Sequence, residues 1–214
     1  MTLRSFGVVG VLALAGLTSV SLMGGWTASA NLASTGQAPA ASAPAATGPF
    51  TVDGVHSSVI FRIKHLNVAW NYGRFNKMSG TFLLDGKDPA KSVIDITVDA
   101  SSIDTANADR DKHLRAGDFF SVQEYPTLTF KSTAFKKTGD TTFEVTGDLT
   151  MKGKTKSVTI TVENTGQGPG RRGGEVAGLE TRFNIKRTDF GMDYMVGGLS
   201  DEVGLIIALE GGRK

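Results

Sequence analysis

From Phe50 to the C-terminus, apolar and polar positions alternate with a period of two. Val59, Phe61, Ile63 and His65 share one parity, and Arg62 and Lys64 take the other. Met78, Phe82 and Leu84 form a second run around Gly80, and Ile94, Ile96 and Val98 a third. Leu128 with Phe130, then Phe143 with Val145 and Leu149, and Val158 with Ile160 and Val162 continue the series. Leu179, Phe183 and Ile185 precede the last run, Val203, Leu205, Ile207 and Leu209. Successive side chains of a strand project to opposite faces, so each run predicts a strand with one apolar face. Asp85-Gly86-Lys87-Asp88-Pro89, Thr138-Gly139-Asp140 and Lys152-Gly153-Lys154 supply turn chemistry between runs. The first and last of these span short gaps, which predicts antiparallel neighbours. A longer Gly-rich loop is expected over residues 165–174, carrying Arg171 and Arg172.

One segment departs from alternation. Residues 104–117 are densely charged, with Asp109, Arg110, Asp111, Lys112 and Arg115 around the single large apolar residue Leu114. They suit a short surface helix stopped by Gly117, after which Phe119-Phe120 return to the interior. Eight strands with one apolar face each must hide that face. Closing the sheet does so and removes its edges, which predicts an all-β, eight-stranded antiparallel barrel with a helical insertion. A two-sheet sandwich with a solid core satisfies the same alternation.

Upstream of Phe50 the pattern changes. Arg4 is followed by an uncharged apolar stretch from Phe6 to Met23 and by Ala28-Ser29-Ala30. Charged start, apolar middle and small-residue end predict a cleaved secretory signal peptide over residues 1–30; an uncleaved membrane anchor is the alternative. Its removal takes away one basic and no acidic residue, leaving a formal charge of +1. Residues 31–49 contain seven Ala and three Pro and no charge, as a flexible linker does. Residues 50–214 are then one exported domain, long enough for a sizeable core.

Composition narrows the chemistry. The 214 residues include no Cys, which excludes disulfides, thiol nucleophiles, zinc–thiolate sites and iron–sulfur clusters. Lys plus Arg is 23 against 21 for Asp plus Glu, too small an excess to mark a nucleic-acid face. Gly153-Lys154-Thr155 lacks the upstream spacing and following helix of a phosphate loop, and Asp189-Phe190-Gly191 has none of its kinase companions. His56 and His65 have opposite parity and His113 lies in the helical insertion, so no metal site is expected. No Ser sits in a nucleophile elbow, and acids fall mainly on outward positions or in turns. No catalytic residue is therefore assigned. Twelve Phe and six Met are the positive signal. They serve either a solid core or the lining of a hollow barrel that holds a hydrocarbon chain.

Several stretches together resemble the YceI-like family of exported lipid-binding proteins. They are residues 55–61 with His65-Leu66 and Gly73-Arg74-Phe75; residues 108–115 with Asp118-Phe119-Phe120; and Tyr125-Pro126 with Phe130. Gly147-Asp148-Leu149-Thr150 with residues 153–156, then residues 187–191 and Asp201-Glu202-Val203, complete the set in the family's order. The resemblance implies an extended, lipocalin-like barrel with a polyisoprenoid or similar amphiphile along its axis and no catalysis. Two departures bear on head-group preference: Lys152 stands where the family often has His, and the Arg171-Arg172 loop is particular to this chain. On this reading the lipid tail lies among Phe61, Phe82, Leu128, Phe130, Phe143 and Phe183. His65, Phe190, Met192 and Tyr194 meet its polar end or guard the mouth. No cofactor is expected beyond a bound isoprenoid or quinone-like lipid. The partner expectations are that amphiphile, transient membrane contact and a homodimer, with no nucleic acid. The expected compartment is periplasmic or otherwise extracytoplasmic. An envelope interaction module with a solid core, or a lipid-modifying enzyme using His56, His113 and nearby acids, are the rival readings.

Overall fold

A computed structural model describes residues 48–214. The signal peptide expected over residues 1–30, and residues 31–47 of the expected linker, lie outside the described residues.

Eleven strands make one antiparallel sheet that closes on itself. The first six, β1 (Phe50–Val52) to β6 (Ile103–Asp104), are halves of three interrupted staves. β1 pairs with β4 (Met78–Leu83), while β2 (Ser58–His65) pairs with β3 (Ala69–Phe75). β5 (Val93–Asp99) pairs with β4, and β6, just beyond it in the chain, pairs with β3. Then follow β7 (Thr127–Lys137), β8 (Thr142–Met151), β9 (Lys154–Pro169), β10 (Glu175–Lys186) and β11 (Leu199–Arg213). β11 pairs with β10 on one side and with β2 and β1 on the other, which closes the barrel. Counted by stave, the barrel has eight antiparallel strands, one for each alternating run.

The up-and-down order sends successive connections to opposite ends. One end carries the β4–β5, β7–β8 and β9–β10 connections, tied by Lys137 Nζ donating to the Gly86 carbonyl at 3.4 Å. Here the interior is packed solid. Phe50, Phe82, Phe143, Val145 and Val162 are buried, and the rings of Phe50 and Phe82 stack 5.8 Å apart. Burying a side chain of this size stabilises the fold by about 1.5–3 kcal/mol. The other end carries the β2–β3 turn, the β8–β9 turn, the β10–β11 loop, and α1 (Ala108–Leu114) between β6 and β7.

Local details depart from the sequence expectations. β3 was not among the alternating runs, because its outward positions hold Trp70 and Tyr72 and an inward one holds Gly73. α1 is capped at its start by Asn107, whose side chain accepts from the Arg110 N–H, and ends at Leu114 with Arg115 as its C-terminal cap; Gly117 lies beyond it. The expected 165–174 loop is shorter, since residues 165–169 continue β9 against β10.

Candidate ligand-binding site

The α1 end of the barrel is hollow. A cavity of about 350 Å³ opens there, with Phe61, Leu128, Ile185, Val203 and Leu205 on its walls. That lies at the lower end of the ~300–1,000 Å³ range of small-molecule pockets. The walls follow from register. Phe183, Leu205 and Phe61 form one inward cross-strand row across β10, β11 and β2, opposite Gly73 on β3. Gly73 makes the row possible: a Cβ there would lie 2.3 Å from Phe61 Cζ. Phe61 instead lies across the glycine, 5.7 Å from Phe75, which meets Phe120 edge-on at 5.5 Å.

The rim is polar and aromatic. His65, Tyr72, Arg110, His113 and Tyr194 all border the cavity. His113 on α1, Phe119 and Tyr194 form a three-ring cluster with centroids 5.0–5.4 Å apart. His113 Nε2 also hydrogen-bonds Asp118 Oδ2 at 2.9 Å. The cluster joins the helix to the β10–β11 loop across the mouth.

Three buried or half-buried polar groups hold this end in shape. Arg187, 2% exposed, donates to the carbonyls of Ser200, Met192, Tyr194 and Leu199, so one guanidinium organises the whole β10–β11 loop. Burial pushes its pKa below the ordinary arginine value, while Asp201 and Asp193 favour the charge. Asp111 is buried and accepts from the Thr105 N–H at 2.9 Å and from the Thr105 hydroxyl. Arg110 donates to the same hydroxyl at 2.8 Å and to the Thr105 carbonyl at 2.6 Å, which seats α1 on the barrel. Lys152 Nζ donates to the carbonyls of Gly117 and Gly191, tying the β8–β9 turn to both neighbouring loops.

The residues expected to hold a ligand distribute as follows. Phe61, Leu128, His65, Met192 and Tyr194 border the cavity. Phe183 shares the row of Phe61, and Phe130 lies one inward position below Leu128, between Ile96 and Leu149; both are half-buried. Phe82 and Phe143 belong to the packed end, and Phe190 is buried beside the mouth loop. Sequence reasoning missed Arg187 and the Thr105–Arg110–Asp111 network, because alternation marks apolar faces and assigns charged residues to solvent. Arg187 directly follows the last residue of β10, where a charge faces the barrel end; no periodic signal marks such a position.

The histidines do not share one site. His56 lies on the barrel wall, where Nδ1 hydrogen-bonds Asp53 Oδ2 at 2.8 Å and approaches Glu210 at 3.9 Å. The Asp53 hydrogen bond and charge raise the His56 pKa, and the same bond lowers that of Asp53. The pair closes an exposed turn whose Asp53 also accepts from the Val55 N–H. His113 faces the cavity mouth instead.

Fold and cavity together define a class: closed up-and-down antiparallel barrels, solid at one end, with an internal apolar site open at the other. Residues 50–211 match the YceI-like domain, and the chain belongs to that family. Protein YceI of Escherichia coli O157:H7 is 46% identical over 159 residues, 74% of this chain and 83% of that protein. The crystal structure of BcnA from Burkholderia cenocepacia superposes with a TM-score of 0.68 at 28% identity, covering 74% of this chain and 98% of BcnA. A polyisoprenoid binding domain from Saccharophagus degradans, implicated in plant cell wall breakdown, shares the fold at 15% identity and a TM-score of 0.59, covering 77% of this chain and 98% of its own.

Proposed function

We propose that this chain is an exported, non-enzymatic carrier that holds a long-chain isoprenoid, quinone-like or other amphiphilic lipid in the open half of its barrel. The cavity carries this reading: its walls are mainly aliphatic and aromatic, and the buried polar side chains among them, Thr105 and Arg187, are already hydrogen-bonded within the protein. Apolar surface removed from water there yields about 25 cal/mol per Å², the main source of affinity for a hydrocarbon tail. The polar end of the guest stays at the mouth, within reach of His65, Arg110 and Tyr194. Half-buried Phe130 and Phe183, next to the lining residues, are the rings that rotate to admit a longer chain. The charged groups near the cavity are engaged in holding structure: Arg187 binds carbonyls, Asp111 binds Thr105, and His113 binds Asp118. That arrangement supports binding over acid–base catalysis. The amino-terminal signal pattern agrees with work outside the cytoplasm.

The test is organic extraction of the purified protein followed by mass spectrometry, alongside uptake of added isoprenoid. A co-purified amphiphile, or saturable uptake, supports the carrier. Neither, over repeated preparations, overturns it.

A further inference from the structure

Among the described residues, the exposed large hydrophobic side chains are not scattered. All except Val55 fall in two short segments at the cavity mouth. The β2–β3 hairpin presents Leu66, Val68, Trp70 and Tyr72, with Val68 83% exposed. The facing loop presents Tyr194, Met195 and Val196. The segments touch: Leu66 N–H donates to the Gly198 carbonyl at 2.7 Å, and His65, Tyr72, Tyr194 and Met195 border the cavity itself. The apolar rim therefore continues into the apolar interior.

Backbone geometry sharpens the observation. Leu66 and Met195 both adopt left-handed conformations, φ 51° and 53°, which Gly or Asn adopts at lower cost. Large apolar side chains at such turn tips, held in water, weaken the fold locally. Strain of this kind concentrates at functional positions.

Charge selects the occupant. The β2–β3 hairpin, residues 58–75, carries Arg62, Lys64 and Arg74 and no acidic residue, although the whole chain is nearly neutral. Arg62 and Lys64 stand over the Trp70 ring, 4.4 and 5.5 Å from its centroid, on the outward face of the hairpin. The facing loop, residues 187–198, contributes two acids, Asp189 and Asp193. Apolar tips, then an amphipathic aromatic belt, then cations match the sequence of layers met on entering an anionic bilayer: acyl chains, interface, headgroup phosphates.

We propose that the cavity mouth is a docking surface for anionic phospholipid bilayers, so that the barrel loads and unloads its guest with the rim seated in the interface. The proposal deepens the carrier reading and rests on it for its purpose, though not for its test.

The test uses the exported protein without residues 1–30, in which Trp70 is the single tryptophan. It is mixed with vesicles of phosphatidylglycerol and phosphatidylethanolamine, or of phosphatidylcholine alone, all free of isoprenoid. The expected result is co-sedimentation with the anionic vesicles that falls at least tenfold in the Val68→Asp/Val196→Asp variant and weakens with salt. Trp70 emission shifts to the blue and is quenched by brominated acyl chains. Isoprenoid uptake from solution persists in that variant. Leu205→Trp, which fills the cavity, shows the reverse: uptake lost, vesicle binding kept. Failure of uptake alone therefore counts against the carrier, and failure of vesicle binding alone against the docking surface. The proposal is overturned by equal partitioning of parent and Asp variant, or by no partitioning. It is equally overturned if the rim residues prove to hold two copies together, seen as a dimer in sedimentation that the Asp variant dissolves.

Discussion

Gly73 shows how one missing side chain shapes this cavity. Its Cα hydrogen leaves the space that the Phe61 ring fills, and any Cβ must push that ring inward or sideways. Gly73→Ala is expected to cost about 1–3 kcal/mol, the usual penalty of overpacking, measured by chemical denaturation. The displaced ring should also reduce isoprenoid uptake. Arg187 is the opposite case, a charge that is tolerated inside because four carbonyls surround it. Arg187→Met leaves those carbonyls without a donor and should destabilise the protein by about 3 kcal/mol or more. Hydrogen exchange of the 192–199 amides should accelerate well beyond that of the remaining barrel. If the loop exchanges at its parental rate, the guanidinium does not organise it.

At the scale of elements, α1 is too short to be stable alone, and it owes its position to the Thr105–Arg110–Asp111 network. Thr105→Val removes the hydroxyl that serves both charged partners. The expected cost is about 1–3 kcal/mol, seen in the denaturation midpoint, with faster exchange confined to α1 and the three-ring cluster it supports. The β1–β2 junction makes a pH-dependent contribution. Folding raises the His56 pKa and lowers that of Asp53. The histidine part is therefore fully present below the ordinary value of about 6.5 and is lost as pH rises through the raised value. The Asp53 part is present above its ordinary value of about 3.9 and is lost as pH falls through the lowered one. The pair thus stabilises most between those limits. Thermal unfolding of His56→Gln against the parent should show a gap that is widest near pH 5 and closes above neutrality. Because both groups are exposed, the gap should be small and should shrink further with salt.

For the whole molecule, the division into a solid half and a hollow half decides behaviour. A guest bound only by the native barrel raises stability by about 2.7 kcal/mol at a hundredfold excess over its Kd. Added isoprenoid should therefore raise the melting temperature of the parent, while Leu205→Trp melts at the same temperature with or without it. In the packed half, Phe143→Ala is expected to cost about 3–5 kcal/mol through lost burial and a new void. It should leave isoprenoid uptake by the surviving folded protein unchanged, since Phe143 lies outside the cavity.

Eight apolar faces were readable from alternation, because the strand period is local, and antiparallel neighbours from the short turns; β3 escaped because Trp70, Tyr72 and Gly73 break its pattern, and the same alternation fitted a two-sheet sandwich. The family stretches, from Val55-His56 to Asp201-Glu202, were legible as residues in order. Three things needed the fold. Register put Phe61, Leu205 and Phe183 in one row and left Gly73 opposite them. Packing density then separated Phe82 and Phe143, which fill their end of the barrel, from Phe61 and Leu128, which border empty space. All four look alike in sequence, since alternation reports which way a side chain points and not how far the opposite wall stands. Finally, closure of the sheet gathered Leu66, Val68, Met195 and Val196, about 130 residues apart in the chain, around one opening. A rim of that kind is a property of three-dimensional neighbourhood, which no local period encodes.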